Sequence, residues 1–289
     1  MREYYNKNDL GLSFGFVTVV YVGFSFIVAL IIQLFGNVAS WVNAVLLAVC
    51  SLALGASAFV YAKISKTDFV TATKIKEKPH LAHVGWGCIA TLFLITMMIP
   101  LNNWIMNLIE MTGLKRPSVD LDMDVASMII VACVIPAFTE ELAFRGTIVQ
   151  SLAREKNKLA SLAITGALFA VFHMNPAQTL HQFVLGAFMA LLAYRSGSLW
   201  TSVIVHLLNN TTAVVLSFTV PDSFFIDNAV WMFFVGLIGF AGCVVGYMFT
   251  TKSKWQTQDE DVVVNSFSKT SLGVAVGICA FMWIAALLV

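Results

Sequence analysis

The stretch "VASMIIVACVIPAFTEELAFRGTIVQSL", residues 125–152, decides how the whole chain is read. It is apolar along most of its length, yet its middle, "AFTEELAFRG" (137–146), holds Glu140, Glu141 and Arg145. A run of this kind is long enough for a helix through a bilayer core, which takes about 20 residues. Three full charges inside it are then expensive, and an ionisable side chain at membrane depth is a functional hypothesis from the outset.

The composition identifies the solvent. Of 289 residues, 59% are hydrophobic and 11% charged, against about 25% charged in a soluble domain. So few polar groups cannot cover a water-facing surface, so the chain is a polytopic membrane protein. The net charge of +1 gives no basic face for nucleic acid. Nine apolar segments are expected as helices, at 12–36, 39–62, 84–109, 125–151, 159–174, 179–194, 198–220, 228–250 and 270–289. The fold class is all-α, a transmembrane bundle of eight or nine spans. The fifth and sixth segments are short and joined by "HMNPAQ" (173–178), where Pro176 enforces a break. They are either full spans or re-entrant helices buried in protein.

Loop charge orients the bundle. "KISKTDFVTATKIKEKPH" (63–80), "REKNK" (154–158), Arg195, and Lys252 with Lys254 are basic; "VDLDMD" (119–124) is acidic and "VPDSFFID" (220–227) has no Lys or Arg. Cytoplasmic loops carry the excess of Lys and Arg. Nine crossings put every basic loop on one side, with a cytoplasmic N-terminus; "KRP" (115–117) is the one dissent. The first segment lacks a small-residue cleavage site and reads as a retained anchor. The five Cys, at 50, 88, 133, 243 and 279, all lie in apolar segments and are expected to pack there.

The buried polar residues concentrate in one region. Glu140, Glu141 and Arg145 lie in the fourth segment, His173 ends the fifth, His181 opens the sixth, and His206, Asn209 and Asn210 lie in the seventh. Residues four apart share a helix face. That pairs Glu141 with Arg145, Phe169 with His173, and His206 with Asn210, while Glu140 points about 100° away from Glu141. The depths allow Glu140, His173 and His206 to meet in one layer. A carboxylate and two imidazoles can activate a water, and His and Asn can donate to a developing oxyanion. The same Glu140, His173 and His206 could instead hold zinc.

Each group also has a plainer reading. Glu141–Arg145 is a structural staple, His206 and Asn210 are interhelical hydrogen-bond glue, and His173 and His181 are interfacial or packing residues. Asn175 forms a turn, and Phe169 is packing that walls the site. Other motifs fail. "DLDMD" (120–124) would need Gly and Glu where Val125 and Val131 stand in a calcium loop. "GASA" (55–58) lacks the full serine elbow around Ser57. "GLSFG" (11–15), "GCVVG" (242–246) and "GVAVG" (273–277) are G-x-x-x-G patterns that mark close helix packing and permit oligomers.

Three motifs in order, "EELAFR", "FAVFH" and "HLLNN", resemble the CPBP family of intramembrane proteases. That family includes the CAAX prenyl endopeptidases and bacterial Abi proteins linked to bacteriocin immunity. The resemblance covers about residues 135 to 212. It implies that Glu140 activates the water, that His173 and His206 complete the site, and that Asn210 helps hold the oxyanion. Glu141 and Arg145 would support the site or orient substrate. The family is described both as metalloprotease-like and as glutamate-dependent without metal. No H-E-x-x-H occurs here, so no cofactor is expected and zinc is the alternative.

The resulting expectation is a single integral-membrane domain over 1–289, with a motif-bearing core at 125–220 and flanking helices at 1–124 and 225–289. It is an intramembrane endopeptidase acting on a membrane-embedded or lipidated protein or peptide, placed in the plasma membrane if the host is bacterial. The competing classes are a transporter or proton relay using the same Glu and His cluster, and a non-catalytic immunity or scaffold protein. Transport is disfavoured because the first half has no counterpart to the cluster.

Overall fold

The computed structural model describes residues 1–35, 40–115, 123–255 and 263–288. Most of the acidic stretch at 119–124, Arg116 and Pro117 of "KRP", and residues 256–262 of the late polar loop lie outside these. Among the described residues every regular element is helical. All nine apolar segments form helices where the sequence placed them: α1 (Lys7–Phe35), α2 (Ser40–Ile64), then the short α3 (Phe69–Thr73), and α4 (Leu81–Glu110). The motif helix Val125–Leu152 is composite and contains α5 (Val125–Met128) and α6 (Ile135–Ala143). Then come α7 (Lys158–Phe172), α8 (Thr179–Ser196), α9 (Leu199–Thr219), the short α10 (Asp222–Asp227), α11 (Ala229–Thr250) and α12 (Ser266–Leu288).

Seven of these helices have the length and apolarity of a full span. The two short segments make up the difference from nine. α7 has 15 residues, or about 22 Å at 1.5 Å per residue, against a core of about 30 Å. α8 carries His181, Gln182 and Arg195. Between them Asn175 caps the turn, its Oδ1 accepting the Ala177 N–H at 3.0 Å, and Pro176 opens the next short helix.

The motif helix is irregular for a physical reason. Pro136 has no N–H to give the carbonyl four residues back, and its ring crowds that carbonyl. The helix widens to π geometry over Ile129–Val134, and the Ile135 N–H reaches back five residues to Ile130. A second wide stretch, Phe144–Ile148, ends with the Val149 N–H on the Phe144 carbonyl. Glu140 and Glu141 sit on the regular α6 between them, and Arg145 lies in the second wide stretch. Such π segments are common at functional positions. Asp124 caps the helix start, accepting the Ser127 N–H at 3.0 Å and its hydroxyl at 2.6 Å. Those bonds hold its carboxyl below the usual range.

Contacts divide the chain into two compact units. The first comprises Met1–Glu77, Asp120–Lys156 and Gln256–Ala275. In it α1 packs on α2, and α2 on α6. Gly11 and Gly15 of α1 lie so close to Ser268 and Ser271 of α12 that a Cβ would overlap them, so "GLSFG" is used inside the chain. The buried Asp9 takes both arms of Arg2, each at 3.0 Å, and the Tyr61 hydroxyl at 2.8 Å. Ser57 is buried, and its hydroxyl donates to the Leu54 carbonyl.

The second unit comprises Lys78–Val119, Asn157–Trp255 and Val276–Val289. Here α4 packs on α11 and on α9, and α7 on α8. Arg195 donates to the carbonyls of Thr251 and Met248, at 2.7 and 3.1 Å, satisfying the end of α11. No disulfide joins the cysteines, and Cys50, Cys133, Cys243 and Cys279 are buried.

α7 and α8 meet at Gly166, where an added Cβ would lie 2.6 Å from the Phe183 carbonyl oxygen. That atom is backbone and cannot swing aside. Gly166→Ala is therefore expected to destabilise by about 1–3 kcal/mol, as overpacking does. Gly273→Ala, in a position with nothing within 4 Å of the new methyl, is expected to be neutral or mildly stabilising. Denaturant midpoints of the two variants in detergent check this; equal shifts would contradict it.

Candidate active site

The first unit supplies the carboxylates. Glu141 and Arg145 form an ion pair of 2.8 Å between Oε1 and Nη1, with side chains 0% and 1% exposed. One helical turn separates them, so neither has to reach. A charge removed from water costs several kcal/mol on its own, and the pair is tolerable only because each neutralises the other. The Arg145 carbonyl also accepts the Gln150 side-chain amide at 3.0 Å. Phe144 meets Phe14 of α1 edge-on, at 6.5 Å between ring centroids. Glu140 is half-buried, on a different face from the pair. Tyr21 of α1 lies within electrostatic reach of it. Nothing in the motif spacing points to Tyr21, because its approach depends on how α1 packs.

The second unit supplies the imidazoles and amides. His173 caps α7, and its Nδ1 lies 2.7 Å from the Phe169 carbonyl. A carbonyl can only accept, so Nδ1 carries the proton and Nε2 keeps a lone pair in the neutral ring. The fully buried Phe169 ring lies 4.5 Å from the His173 ring and 6.1 Å from the His206 ring, edge-on to both. It stands as a wall against both imidazoles. Phe169 can be packed this closely because Gly186 of α8 has no Cβ, which would fall 2.8 Å from the Phe169 Cβ.

His206 is 2% exposed on α9, with Asn210 one turn further along and half-buried. His181 and Asn209, which the sequence left as packing or undecided, are tied to each other: His181 Nε2 lies 3.2 Å from Asn209 Oδ1. Asn209 in turn donates to Asn210 Oδ1 at 3.0 Å. No periodicity could reveal this, since His181 and Asn209 sit on different helices.

Glu140, Glu141 and Arg145 thus belong to the first unit, and Phe169, His173, His206 and Asn210 to the second. Chemically, the first set offers a carboxylate beside a neutralised pair. The second offers one imidazole with a fixed tautomer, a second buried imidazole, and an amide chain. Within either unit, no three His, Cys, Asp or Glu side chains gather as a metal-ligand set among the described residues.

Residues 122–212 match a family model described as type II CAAX prenyl endopeptidase, Rce1-like. The match is consistent with the CPBP family and contains all seven of those residues. It spans about a third of the chain, and with the long apolar helices it supports a peptidase embedded in a membrane. No curated protein and no solved structure matches the chain.

The ion pair makes a stability prediction. Arg145→Met leaves Glu141 buried without its cation and is expected to cost about 3–5 kcal/mol. The double variant Glu141→Leu with Arg145→Met removes both charges and is expected to cost less than the single Arg145→Met. Unfolding of the three proteins in detergent measures this; a strictly additive double variant would show that the two side chains do not depend on each other.

Proposed function

We propose that this chain is an intramembrane endopeptidase that hydrolyses a peptide bond of a membrane-embedded or lipidated protein or peptide, using a water activated by Glu140. One observation carries the reading: the matched stretch contains "EELAFR", "FAVFH" and "HLLNN" in order, all within a chain of apolar helices.

The roles follow from the groups themselves. Glu141 is neutralised by Arg145, so Glu140, on its own face, is the carboxylate assigned to the water. The water oxygen attacks the peptide carbonyl carbon as its proton passes to Glu140. The oxyanion that forms is held by N–H donors of Asn210 and His206. The C–N bond then breaks, and Glu140 returns its proton to the leaving amine. His173, whose Nε2 keeps its lone pair, accepts a hydrogen bond and so orients the attacking water. That lone pair is equally suited to zinc, with the Phe169 carbonyl as the outer partner of the ring. The metal-free route is preferred here, with Glu140, His173 and His206 as the ligands in the zinc alternative.

We also assign the N-terminus to the cytoplasm. The loop charges support this whichever way α7 and α8 are counted. Removing both from the crossings removes two, so only the turn 173–178 changes side.

Purified protein in liposomes is expected to cleave members of a membrane-peptide library, and Glu140→Gln to lose at least about 100-fold in rate at unchanged stability. A strong chelator is expected to leave the wild-type rate alone. Loss of cleavage on chelation with recovery on zinc would replace the metal-free route, and an undiminished Glu140→Gln would overturn the assignment. For topology, single cysteines placed in 63–80 and 154–158 are expected to react with impermeant thiol reagents only from the cytoplasmic side, and those in 220–227 only from outside. The reverse pattern would invert the assignment.

A further inference from the structure

The reaction assigned above does not use His181 or Asn209, yet both are tied to one of its residues. His181 Nε2 lies 3.2 Å from Asn209 Oδ1, and Asn209 Nδ2 donates to Asn210 Oδ1 at 3.0 Å. An amide oxygen only accepts, so His181 is the donor in the first bond. The two ends of the Asn209 carboxamide are thereby assigned, the oxygen to His181 and the nitrogen to Asn210. Asn210 receives on its oxygen, which turns its own NH2 away from Asn209.

That orientation matters because a terminal carboxamide has a nearly two-fold torsion. Turned over, Asn210 would offer an oxygen where a donor is needed. A buried polar group with a fixed partner resists this, and Asn209 is only 4% exposed. The far end of the chain is anchored as well. The Trp283 indole of α12 donates to Thr179 Oγ1 at 2.7 Å, and Thr179 Oγ1 donates to the Asn175 carbonyl at 3.0 Å. His181 follows two residues later in the first turn of α8.

We propose that His181 and Asn209 form a positioning relay that sets the carboxamide of Asn210 with its NH2 as the oxyanion donor. The relay rests on the endopeptidase reading for its consequence, but not for its geometry. Neither residue touches the reacting atoms; both act through Asn210.

The test compares the wild-type chain with His181→Leu, His181→Gln, Asn209→Asp and Glu140→Gln on the membrane-peptide library, with rates taken on a peptide that the wild type cleaves. Asn209→Asp keeps the acceptor for His181 and loses the donor to Asn210. It and His181→Leu are expected to lower kcat by about tenfold, less than the roughly 100-fold loss from removing an oxyanion donor outright. KM is expected to stay within about twofold, since an interaction made only in the transition state is lost. His181→Gln, whose side-chain N–H can replace Nε2–H, is expected to keep most of the rate.

A second readout needs no substrate. In protein labelled with 15N-asparagine, the Asn210 side-chain NH2 signal is the pair that disappears in Asn210→Asp. It is expected to shift in His181→Leu and Asn209→Asp and to stay put in His181→Gln. If the signal does not move in the first two, or both keep wild-type kcat, the relay is overturned. If the signal moves while wild type and every variant are inactive on all peptides, the relay stands and the endopeptidase reading is what fails.

Discussion

Hydrocarbon gives a charge nothing to solvate it, so a fully buried charge at membrane depth is costly without a partner. In the motif helix Glu141 and Arg145 partner each other within a single turn, at 2.8 Å and almost without exposure. The arrangement is local, one turn along a single helix, and it costs no loop closure. It also leaves Glu141 charge-neutralised, while the adjacent Glu140 is half-buried on another face of α6.

The same solvent shapes the backbone. With no water to accept stray N–H and C=O groups, irregularity must be absorbed inside the helix. Pro136 would leave an open gap in a regular ladder. Instead the helix widens on one side of α6, widens again around Arg145, and keeps its hydrogen bonds through five-residue steps. The regular turns between carry the glutamates. In the second unit, His173 is held by a carbonyl of its own helix, and the Phe169 ring packs against it and His206. Both devices fix a polar group by contacts within reach of its own element, and in both cases a small residue nearby admits the packing. Gly55 brings α2 against Thr139, where a Cβ would lie 2.9 Å from the Thr139 methyl, and Gly186 brings α8 against Phe169.

Close helix approach also separates patterns that look alike in the sequence. Three G-x-x-x-G runs were equivalent there. Gly11 and Gly15 are in contact with α12, Gly246 lies against Trp86, and Gly273 and Gly277 have open space where a Cβ would be. Periodicity shows that two glycines share a face, but it carries no information on what that face meets.

The sequence by itself determined the helical class, the approximate ends of all nine apolar segments, the i,i+4 pairing of Glu141 with Arg145, and the break at Pro176. Each of these depends on neighbours within a few residues, or on composition averaged over a span, and such information is written along the chain. Only the tertiary structure decided that Gly11 and Gly15 of α1 meet α12, that Tyr21 comes within reach of Glu140, and that His181 is linked to Asn210 through Asn209. Those facts depend on which helices touch and in what register. Inside a bilayer, where nearly every exposed face is apolar and the hydrophobic pattern cannot tell lipid from a neighbouring helix, that register is set by packing and by a few buried hydrogen bonds.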